Sequence, residues 1–163
     1  GILRLEGQEV TFATPHDAQV AGISTVYQEI ELLPNVSVAE NIALGRESRR
    51  FGLIDWRGMR RIAADALHEL GLDIDPASIL GTHPVAVQQL VAIARAVVAK
   101  PSLILADEPT GNLHSDQGRE IMELFKRLNE GGTTIVQVTH SEVNATYGHR
   151  VIRLKDGWVL DEN

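Results

Sequence analysis

The sequence predicts an α/β fold in which a parallel sheet is interrupted by a helical subdomain and preceded by an antiparallel β-hairpin. The run 102–106 is almost wholly aliphatic and ends in two adjacent carboxylates, Asp107 and Glu108. An unbroken apolar run of this length is typical of a parallel strand buried on both faces. A second β-rich run over 133–139 follows an amphipathic helix, and strands that alternate with helices favour parallel pairing.

The N-terminal part of the chain predicts a hairpin, a short helix and a strand. Residues 2–6 and 9–13 alternate apolar and polar side chains on either side of Gly7-Gln8, which is typical of a β-hairpin. A proline opens the short helix predicted over 15–21, and a β-rich run follows over 23–27. This part therefore supplies the hairpin and one strand of the sheet.

Residues 37–99 are predicted to be wholly helical, without a strand. Ser37 and Glu40 have the spacing of a capping box, which begins a helix that closes at Gly45. The polar stretch 46–52 is predicted to be an exposed link. The region therefore starts with one short, well-capped helix.

Two longer helices complete this middle region. Asp55 is the predicted N-cap of an amphipathic helix that stops at Gly71. The apolar spacing is then lost over 72–81, which we expect to be a loop, and it returns over 85–99. Beyond the acidic-ended strand we predict a turn over 111–115, a helix over 116–129 and a strand over 133–139. A short helical stretch over 140–148 and a closing hairpin over 151–160 follow.

The composition excludes several classes of protein. A net charge of −7 and a pI near 5.3 argue against a nucleic-acid partner. Without cysteine there is neither a disulfide framework nor a thiolate zinc site. No run approaches the roughly 18 apolar residues of a membrane-spanning helix. The chain opens within a predicted strand and without Met, so we expect a fragment whose first segment is missing.

Side chains suited to phosphate chemistry follow three of the predicted strands. They are Gln28, the pair Asp107 and Glu108, and His140. In open α/β sheets, ligands bind beyond the carboxyl ends of the strands. There, Asp107 suits a hydrated Mg²⁺ and Glu108 suits a water aligned against a phosphate. Gln28 or His140 alone is more often an ordinary loop residue, and the acidic pair alone fits an acidic turn equally well. Together these residues favour phosphoryl transfer to water.

The same residues resemble motifs of the ATP-binding-cassette (ABC) ATPases, in the family's order and over nearly all of the chain. Residues 26–42 resemble the family's Q-loop with the helix after it, and residues 88–96 resemble the helix that follows its LSGGQ sequence. Residues 103–110 resemble its Walker B segment, 111–114 its D-loop and 138–140 the segment of its switch histidine. It implies a P-loop NTPase-like fold that lacks its first strand and P-loop. It also implies three regions within one partial domain, 1–36, 37–99 and 100–163.

The resemblance implies roles for particular residues. Glu108 and His140 would be catalytic, and Asp107 and Gln28 would bind Mg²⁺ and the nucleotide. Ala86 and Gln88 would contact ATP near the family's signature sequence. ATP and Mg²⁺ are the implied ligands, and transmembrane permease subunits and a second ATPase subunit are the implied partners. Such a chain would lie in the cytoplasm, held through its partners at the inner face of the cell membrane.

The two halves of the chain resemble different branches of the family. Residues 1–100 are most similar to the ATPases of sugar importers, as in Tyr27-Gln28-Glu29. Residues 103–163 are more similar to the ATPases of lipoprotein or macrolide exporters, as in 106–113. A natural mosaic and an engineered chimera both fit this pattern.

Three departures from the family's motifs weaken the expected handling of nucleotide. The sequence contains no G-x-x-x-x-G-K-[ST] phosphate-binding loop. Where the family has Leu-Ser-Gly-Gly-Gln, residues 83–87 read His-Pro-Val-Ala-Val, and Pro84 has no N–H to offer a phosphate. His114 replaces the aspartate of the D-loop. We therefore expect this chain alone to be inactive.

Two other functions compete with an ATPase. The degenerate sequence at 83–87 favours a non-catalytic module that keeps the fold for protein–protein contacts. The intact Asp107, Glu108 and His140 favour the enzyme. A different P-loop class such as a recombinase is disfavoured by the ordered Q-loop motif, the inserted helical region and His140.

Overall fold

The computed structural model describes residues 1–29, 31–47, 49–50 and 52–162, with only the backbone at 49, 50, 161 and 162. In chain order the elements are β1 Leu3–Leu5, β2 Gln8–Val10, α1 Pro15–Val20, β3 Ile23–Val26, α2 Val38–Ala43, β4 Arg49–Arg50, β5 Leu53–Ile54, α3 Trp56–Glu69, a 3-10 turn Leu80–Thr82, α4 Val85–Val97, β6 Leu103–Asp107, α5 Ser115–Glu130, β7 Thr134–Val138, α6 Glu142–Ala145, β8 Ile152–Lys155 and β9 Trp158–Glu162.

A parallel sheet of three strands, in the order β3-β6-β7, lies at the centre of the fold. Ile23 pairs with Leu103 in one ladder, and Leu103 pairs with Thr134 in the other. The acidic-ended strand β6 is therefore the middle strand. The α/β class and the parallel pairing predicted from the sequence are confirmed.

Among the described residues, one face of this sheet is covered and the other is not, which corrects the expectation that β6 is buried on both faces. Ile104 and Ala106 are buried and join the same apolar core as residues of α4 and α5. On the other face, Leu105, Val136 and Val138 are 37%, 49% and 59% exposed. Successive side chains of a strand point to opposite faces, so an all-apolar sequence cannot tell whether the second face is covered.

The helices of the middle region pack against one another and against the covered face of the sheet. Their buried apolar residues form one continuous core with the strands, and they include Val38, Ile42, Ala63, Leu67, Leu80 and Val91. Both predicted N-caps are confirmed. Ser37 accepts from the Glu40 backbone at 3.2 Å while the Glu40 carboxylate accepts from the Ser37 backbone at 2.9 Å, and Asp55 accepts from Gly58 N at 3.0 Å.

The middle region is not wholly helical, contrary to expectation. The predicted exposed link 46–52 contains β4, which pairs with β5 just beyond the link; residues 48 and 51 of this link lie outside the described residues. The predicted loop 72–81 runs into the 3-10 turn, and Ile79 forms an isolated antiparallel bridge with Ser37. Such short elements hold too few residues to show a hydrophobic period.

Two further hairpins lie outside the central sheet. The turn of β1–β2 is centred on Glu6 and Gly7, with φ of 50° and 80°, and not on Gly7-Gln8 as predicted. Two successive positive φ values suit the right-handed twist of a hairpin, and the strands are shorter than predicted. The closing hairpin β8–β9 forms as predicted. Among the described residues, no helix is both long and apolar enough to cross a membrane.

Candidate functional site

The carboxyl ends of the three central strands meet at one edge of the sheet. Val26 pairs with Ala106, and Asp107 pairs with Val138. The residues that follow these positions are therefore brought to the same edge. All the strand-end residues singled out from the sequence, Gln28, Asp107, Glu108 and His140, lie there.

Glu108 and His140 are in direct contact at this edge. His140 Nδ1 lies 2.6 Å from Glu108 Oε1, and the His140 backbone N–H donates to the same oxygen at 2.7 Å. The Thr139 hydroxyl donates to the other carboxylate oxygen at 3.2 Å. Contacts from Thr139 and His140 thus converge on both oxygens of this carboxylate.

The backbone at Glu108 is strained, and hydrogen bonds hold it in place. Its φ of 41° is in the left-handed region, which costs a residue with a Cβ roughly 1–2 kcal/mol. Its backbone N–H donates to Val138 O at 3.0 Å. Strained residues persist where the surrounding structure fixes them, and they cluster at functional sites. In this backbone conformation the Glu108 side chain contacts Thr139 and His140, which follow β7.

The two groups differ in their access to solvent. The side chain of Glu108 is 14% exposed, whereas that of His140 is 83% exposed. The carboxylate is thus partly sheltered, while most of the imidazole faces outward. This arrangement can orient a water at the carboxylate and offer an imidazole to an anionic group beyond it.

Gln28 and Asp107 are both exposed. The backbone carbonyl of Gln28 accepts from Asn112 Nδ2 at 3.3 Å. A Cβ built on Gly111 would lie 3.9 Å from Gln28 Nε2, so the Gln28 amide lies beside the segment that follows β6. The Asp107 side chain makes no hydrogen bond or ion pair with any residue that the structure describes, which leaves its carboxylate free for a ligand.

The oxygen atoms of Asp107 and Gln28 at this edge are suited to a magnesium ion whose other ligands are water and substrate phosphates. Within the described ranges, no cluster of three or more His, Cys, Asp or Glu side chains could hold a metal ion by itself. Mg²⁺ is usually held by one or two carboxylates together with water and substrate phosphates. The exposed Asp107 carboxylate supplies such an oxygen, and the Gln28 amide oxygen is a second candidate of the right chemistry.

Ala86 and Gln88 lie at the start of α4. Pro84 is the N-cap of this helix and makes no side-chain capping bond. The Gln88 amide donates to His83 O at 2.8 Å, so it is turned onto its own backbone. No hydrogen bond among the described residues joins 83–88 to Gln28, Asp107, Glu108 or His140. A contact of this segment with nucleotide remains a prediction.

The sequence did not single out two residues that shape the site. Thr139 binds the Glu108 carboxylate, and Asn112 binds the backbone of Gln28. Both are short polar residues within the motif segments 111–114 and 138–140, and neither was given a role there. Their position within these motifs was the available signal, but the partner of each is distant along the chain and only the fold brings it close.

The sequence profile described as "ABC transporter" matches residues 1–111 of the chain. A ribose import ATP-binding protein of Rubrobacter xylanophilus is 39% identical over 96% of this chain, and one of Chelativorans sp. is 42% identical over 98%. These matches cover 32% and 31% of the two relatives, so the chain spans about a third of their length. Both matches cover nearly the whole chain and so include most of 103–163, whose exporter-like character stays a prediction.

The fold is also shared with solved structures. The dimeric ATP-binding cassette MJ0796 bound to ADP and Pi is 33% identical, with a TM-score of 0.78, covering 98% of this chain and 71% of that one. The cbiO1 protein from Clostridium perfringens has a TM-score of 0.80 at 22% identity, covering 98% of this chain and 64% of that one; it supports the fold alone. The chain therefore belongs to the ABC transporter family, as an ATPase domain sequence close to the sugar-import ATPases.

Proposed function

We propose that this chain supplies the hydrolytic edge of an ATP-binding and ATP-hydrolysing subunit of a membrane transporter. The observation that carries the proposal is the contact of Glu108 with His140 beside the exposed Asp107. A sheltered carboxylate, an outward imidazole and an exposed carboxylate at one strand edge are groups suited to hydrolysis of the terminal phosphoanhydride bond of ATP.

Each residue has a distinct role in this proposal. Asp107 holds Mg²⁺, with Gln28 as a second oxygen donor. Glu108 orients the attacking water and accepts its proton, and His140 donates to the terminal phosphate. A bound Mg²⁺ would neutralise part of the phosphate charge.

The proposed partners follow from the relatives. Two of them are named as ribose import proteins, so we propose that the subunit drives import of a sugar. Transmembrane permease subunits would hold it at the inner face of the cell membrane, on the cytoplasmic side. The dimeric cassette structures support a second ATPase subunit as a partner. No nucleic acid enters this function.

The polypeptide of this sequence should bind MgATP weakly by itself. It contains no G-x-x-x-x-G-K-[ST] loop, whose backbone N–H groups and lysine cradle phosphates. Asp107 and Glu108 cannot replace that loop, since both carry the same charge as the triphosphate. Hydrolysis at background rate is therefore the expected behaviour of the 163-residue chain.

A second candidate function is a non-catalytic module for protein contacts. It is favoured by residues 83–87, where Pro84 lacks an N–H and Val85 and Ala86 add side chains to the helix start. Nucleotide contact from this segment would be weaker than from a glycine-rich one. The two candidates differ in whether Glu108 matters for turnover.

Steady-state ATP hydrolysis distinguishes the two. It is measured on a longer chain in which a G-x-x-x-x-G-K-[ST] segment precedes Gly1. Glu108→Gln should lower turnover by about 10²–10⁴-fold while nucleotide still binds, and Asp107→Asn should instead weaken the dependence on Mg²⁺. Glu123→Gln, on the exposed face of α5, is the matched control. If Glu108→Gln hydrolyses ATP as fast as the unmodified chain, the non-catalytic module takes the place of the ATPase.

A further inference from the structure

Gln28 lies near the start of the connection from β3 to α2, and side chains from other parts of the chain bind the backbone of this connection at residues 28, 31 and 33. Asn112 Nδ2 donates to Gln28 O at 3.3 Å. Farther along, Arg95 Nη1 on α4 donates to Glu31 O at 2.8 Å. A third anchor comes from Asn41 on α2. The loop therefore carries a candidate ligand at one end and is tied to two helices of the middle region.

Asn41 makes the most complete of these contacts. Its Oδ1 atom accepts from the Leu33 backbone N–H at 2.7 Å, and its Nδ2 atom donates to the Leu33 carbonyl at 2.9 Å. Nδ2 also donates to Ser37 O at 3.1 Å. One side chain thus binds both backbone groups of Leu33 and the residue that caps its own helix.

The anchor is fixed because Asn41 is fully buried, with 0% exposure. Its neighbours on α2, Val38, Ala39 and Ile42, all belong to the apolar core. A buried polar side chain is costly unless its hydrogen bonds are made. The three bonds that Asn41 makes offset this cost and explain how a polar residue occupies a core position.

The chemistry of the contact selects asparagine. The site needs one acceptor and two donations from a short side chain. Aspartate has the same shape but only accepts when ionised, so it would keep the bond from Leu33 N and lose both bonds to carbonyl oxygens. Leucine has the same branched skeleton of heavy atoms but is larger, and it makes none of the three bonds.

We propose that Asn41 is a positioning residue, which clamps Leu33 to α2 and thereby keeps Gln28 at the carboxyl edge of the sheet. The inference rests on the proposed function, since it acts through Gln28. The Gln28 side chain is exposed and lies beside Gly111, so backbone anchors, and not burial, determine where it lies. Of the anchors described, the clamp on Leu33 is the one that grips both backbone groups of a single residue.

A purely structural role for Asn41 makes a different prediction. In that case its loss would lower the stability of the whole domain, and amides throughout the core would exchange faster together. A positioning role requires a local effect in the loop and at the Gln28 side chain. The two roles are therefore separated by where the change is observed.

The test uses the 163-residue chain without nucleotide, compared by NMR as the unmodified protein, Asn41→Asp and Asn41→Ala. Asn129→Ala is the matched control, because Asn129 Nδ2 donates to a backbone carbonyl, Thr133 O, at 2.9 Å away from the site. Two readouts are taken, amide hydrogen exchange along the backbone and the position of the Gln28 side-chain amide resonances. If Asn41→Ala does not fold, Asn41→Asp carries the comparison alone.

For a positioning role, exchange at Leu33 should rise at least about tenfold beyond any change at Ile104 in Asn41→Ala, because the Leu33 N–H loses its acceptor. In Asn41→Asp, which keeps that acceptor, the Gln28 resonances are the deciding readout. The Gln28 amide resonances should shift toward those of a free side chain in both Asn41 variants and stay in place in Asn129→Ala. If exchange rises uniformly and the Gln28 resonances do not move, the proposal is overturned.

A kinetic readout on the longer chain separates this inference from the proposed function. There, Asn41→Asp should lower kcat at least about tenfold with KM changed by less than about threefold, as expected when a group that acts in the transition state is misplaced. If the unmodified longer chain does not hydrolyse ATP, the proposed function fails while the NMR comparison still decides the role of Asn41. If kcat is unchanged in Asn41→Asp, the positioning role is refuted.

Discussion

Glu108 and His140 are joined twice, since one carboxylate oxygen lies 2.6 Å from the imidazole Nδ1 and 2.7 Å from the backbone nitrogen of the same residue. These bonds tie the end of β6 to the residue that follows β7. The carboxylate that we propose to act on water therefore also fixes the geometry of its neighbour. Catalytic and structural contributions of Glu108 are separable, because they respond differently to substitution.

The first prediction concerns this structural contribution. Glu108→Ala should lower the free energy of unfolding by about 1–3 kcal/mol, because the His140 N–H and the Thr139 hydroxyl lose their acceptor. Glu108→Gln keeps an acceptor oxygen and should cost less than half as much. Urea unfolding at neutral pH measures both, with Glu123→Ala on α5 as the control. Equal losses in Glu108→Ala and the control would show that the contact contributes nothing to stability.

The second prediction concerns the capping box of α2 and its pH dependence. Hydrogen bonds from the Ser37 side chain and backbone, with a smaller contribution from the charge of Arg60, hold the pKa of Glu40 below its ordinary value. A carboxyl whose pKa is lowered on folding adds stability above its unfolded pKa, and loses it as pH falls through the folded pKa. Glu40→Gln should therefore be less stable than the unmodified chain at neutral pH.

That difference should disappear in acid. The free energy of unfolding of both chains is measured in urea from about pH 7 to about pH 3, the range in which such carboxyls titrate. Glu120→Gln, an exposed residue of α5, is the control and should show a flat difference. A Glu40→Gln difference that stays constant across this range would contradict the assigned cause of the lowered pKa.

The third prediction concerns the uncovered face of the sheet. Leu105, Val136 and Val138 together expose an apolar strip there, and exposed apolar strands tend to associate. The chain should self-associate and bind a hydrophobic dye. Changing Val136 and Val138 to Thr should reduce self-association and dye binding, because each substitution replaces an exposed methyl group by a hydroxyl. The strand should persist, since Thr keeps the β-branched shape.

The control for this strip is Val143→Thr, at an apolar side chain 71% exposed on α6, away from the central sheet. Sedimentation across protein concentration and dye fluorescence are the measurements. The prediction fails if the unmodified chain sediments as a compact monomer at high concentration and does not bind dye.

The fourth prediction concerns Gln137, which lies on the covered face of β7. Its Nε2 atom is buried and has no hydrogen-bond partner among the described residues. A buried donor without a partner costs about 1–3 kcal/mol. Gln137→Met, which has a similar length and no donor, should therefore raise the free energy of unfolding by about that amount. Gln117→Met, at a half-buried glutamine in the first turn of α5, is the comparison. A loss of stability in Gln137→Met alone would show that the Gln137 amide has a partner.

Local sequence patterns settled much of the helix placement. The prediction of Ser37 and Asp55 as N-caps was correct, because a cap is a contact within one helical turn. The prediction of the acidic end of β6 was also correct, because the change from apolar to charged residues marks the end of the strand. The two-residue strands β4 and β5 were missed because they are too short for a period. The turn of β1–β2 was predicted one residue too late. Glu6 adopts a positive φ there, which is uncommon for glutamate and could not be expected from its residue type.

By itself, the sequence determined the α/β class, the parallel pairing and the position of Gln28, Asp107, Glu108 and His140 at strand ends, because these follow from local period and chain order. Only the tertiary structure decided which of them touch. The bonds of Glu108 to His140 and of Asn41 to Leu33 depend on side-chain geometry across separate elements. The uncovered face of β6 was decided in the same way, since exposure of an apolar residue depends on what packs over it, and no residue of the strand itself carries that information.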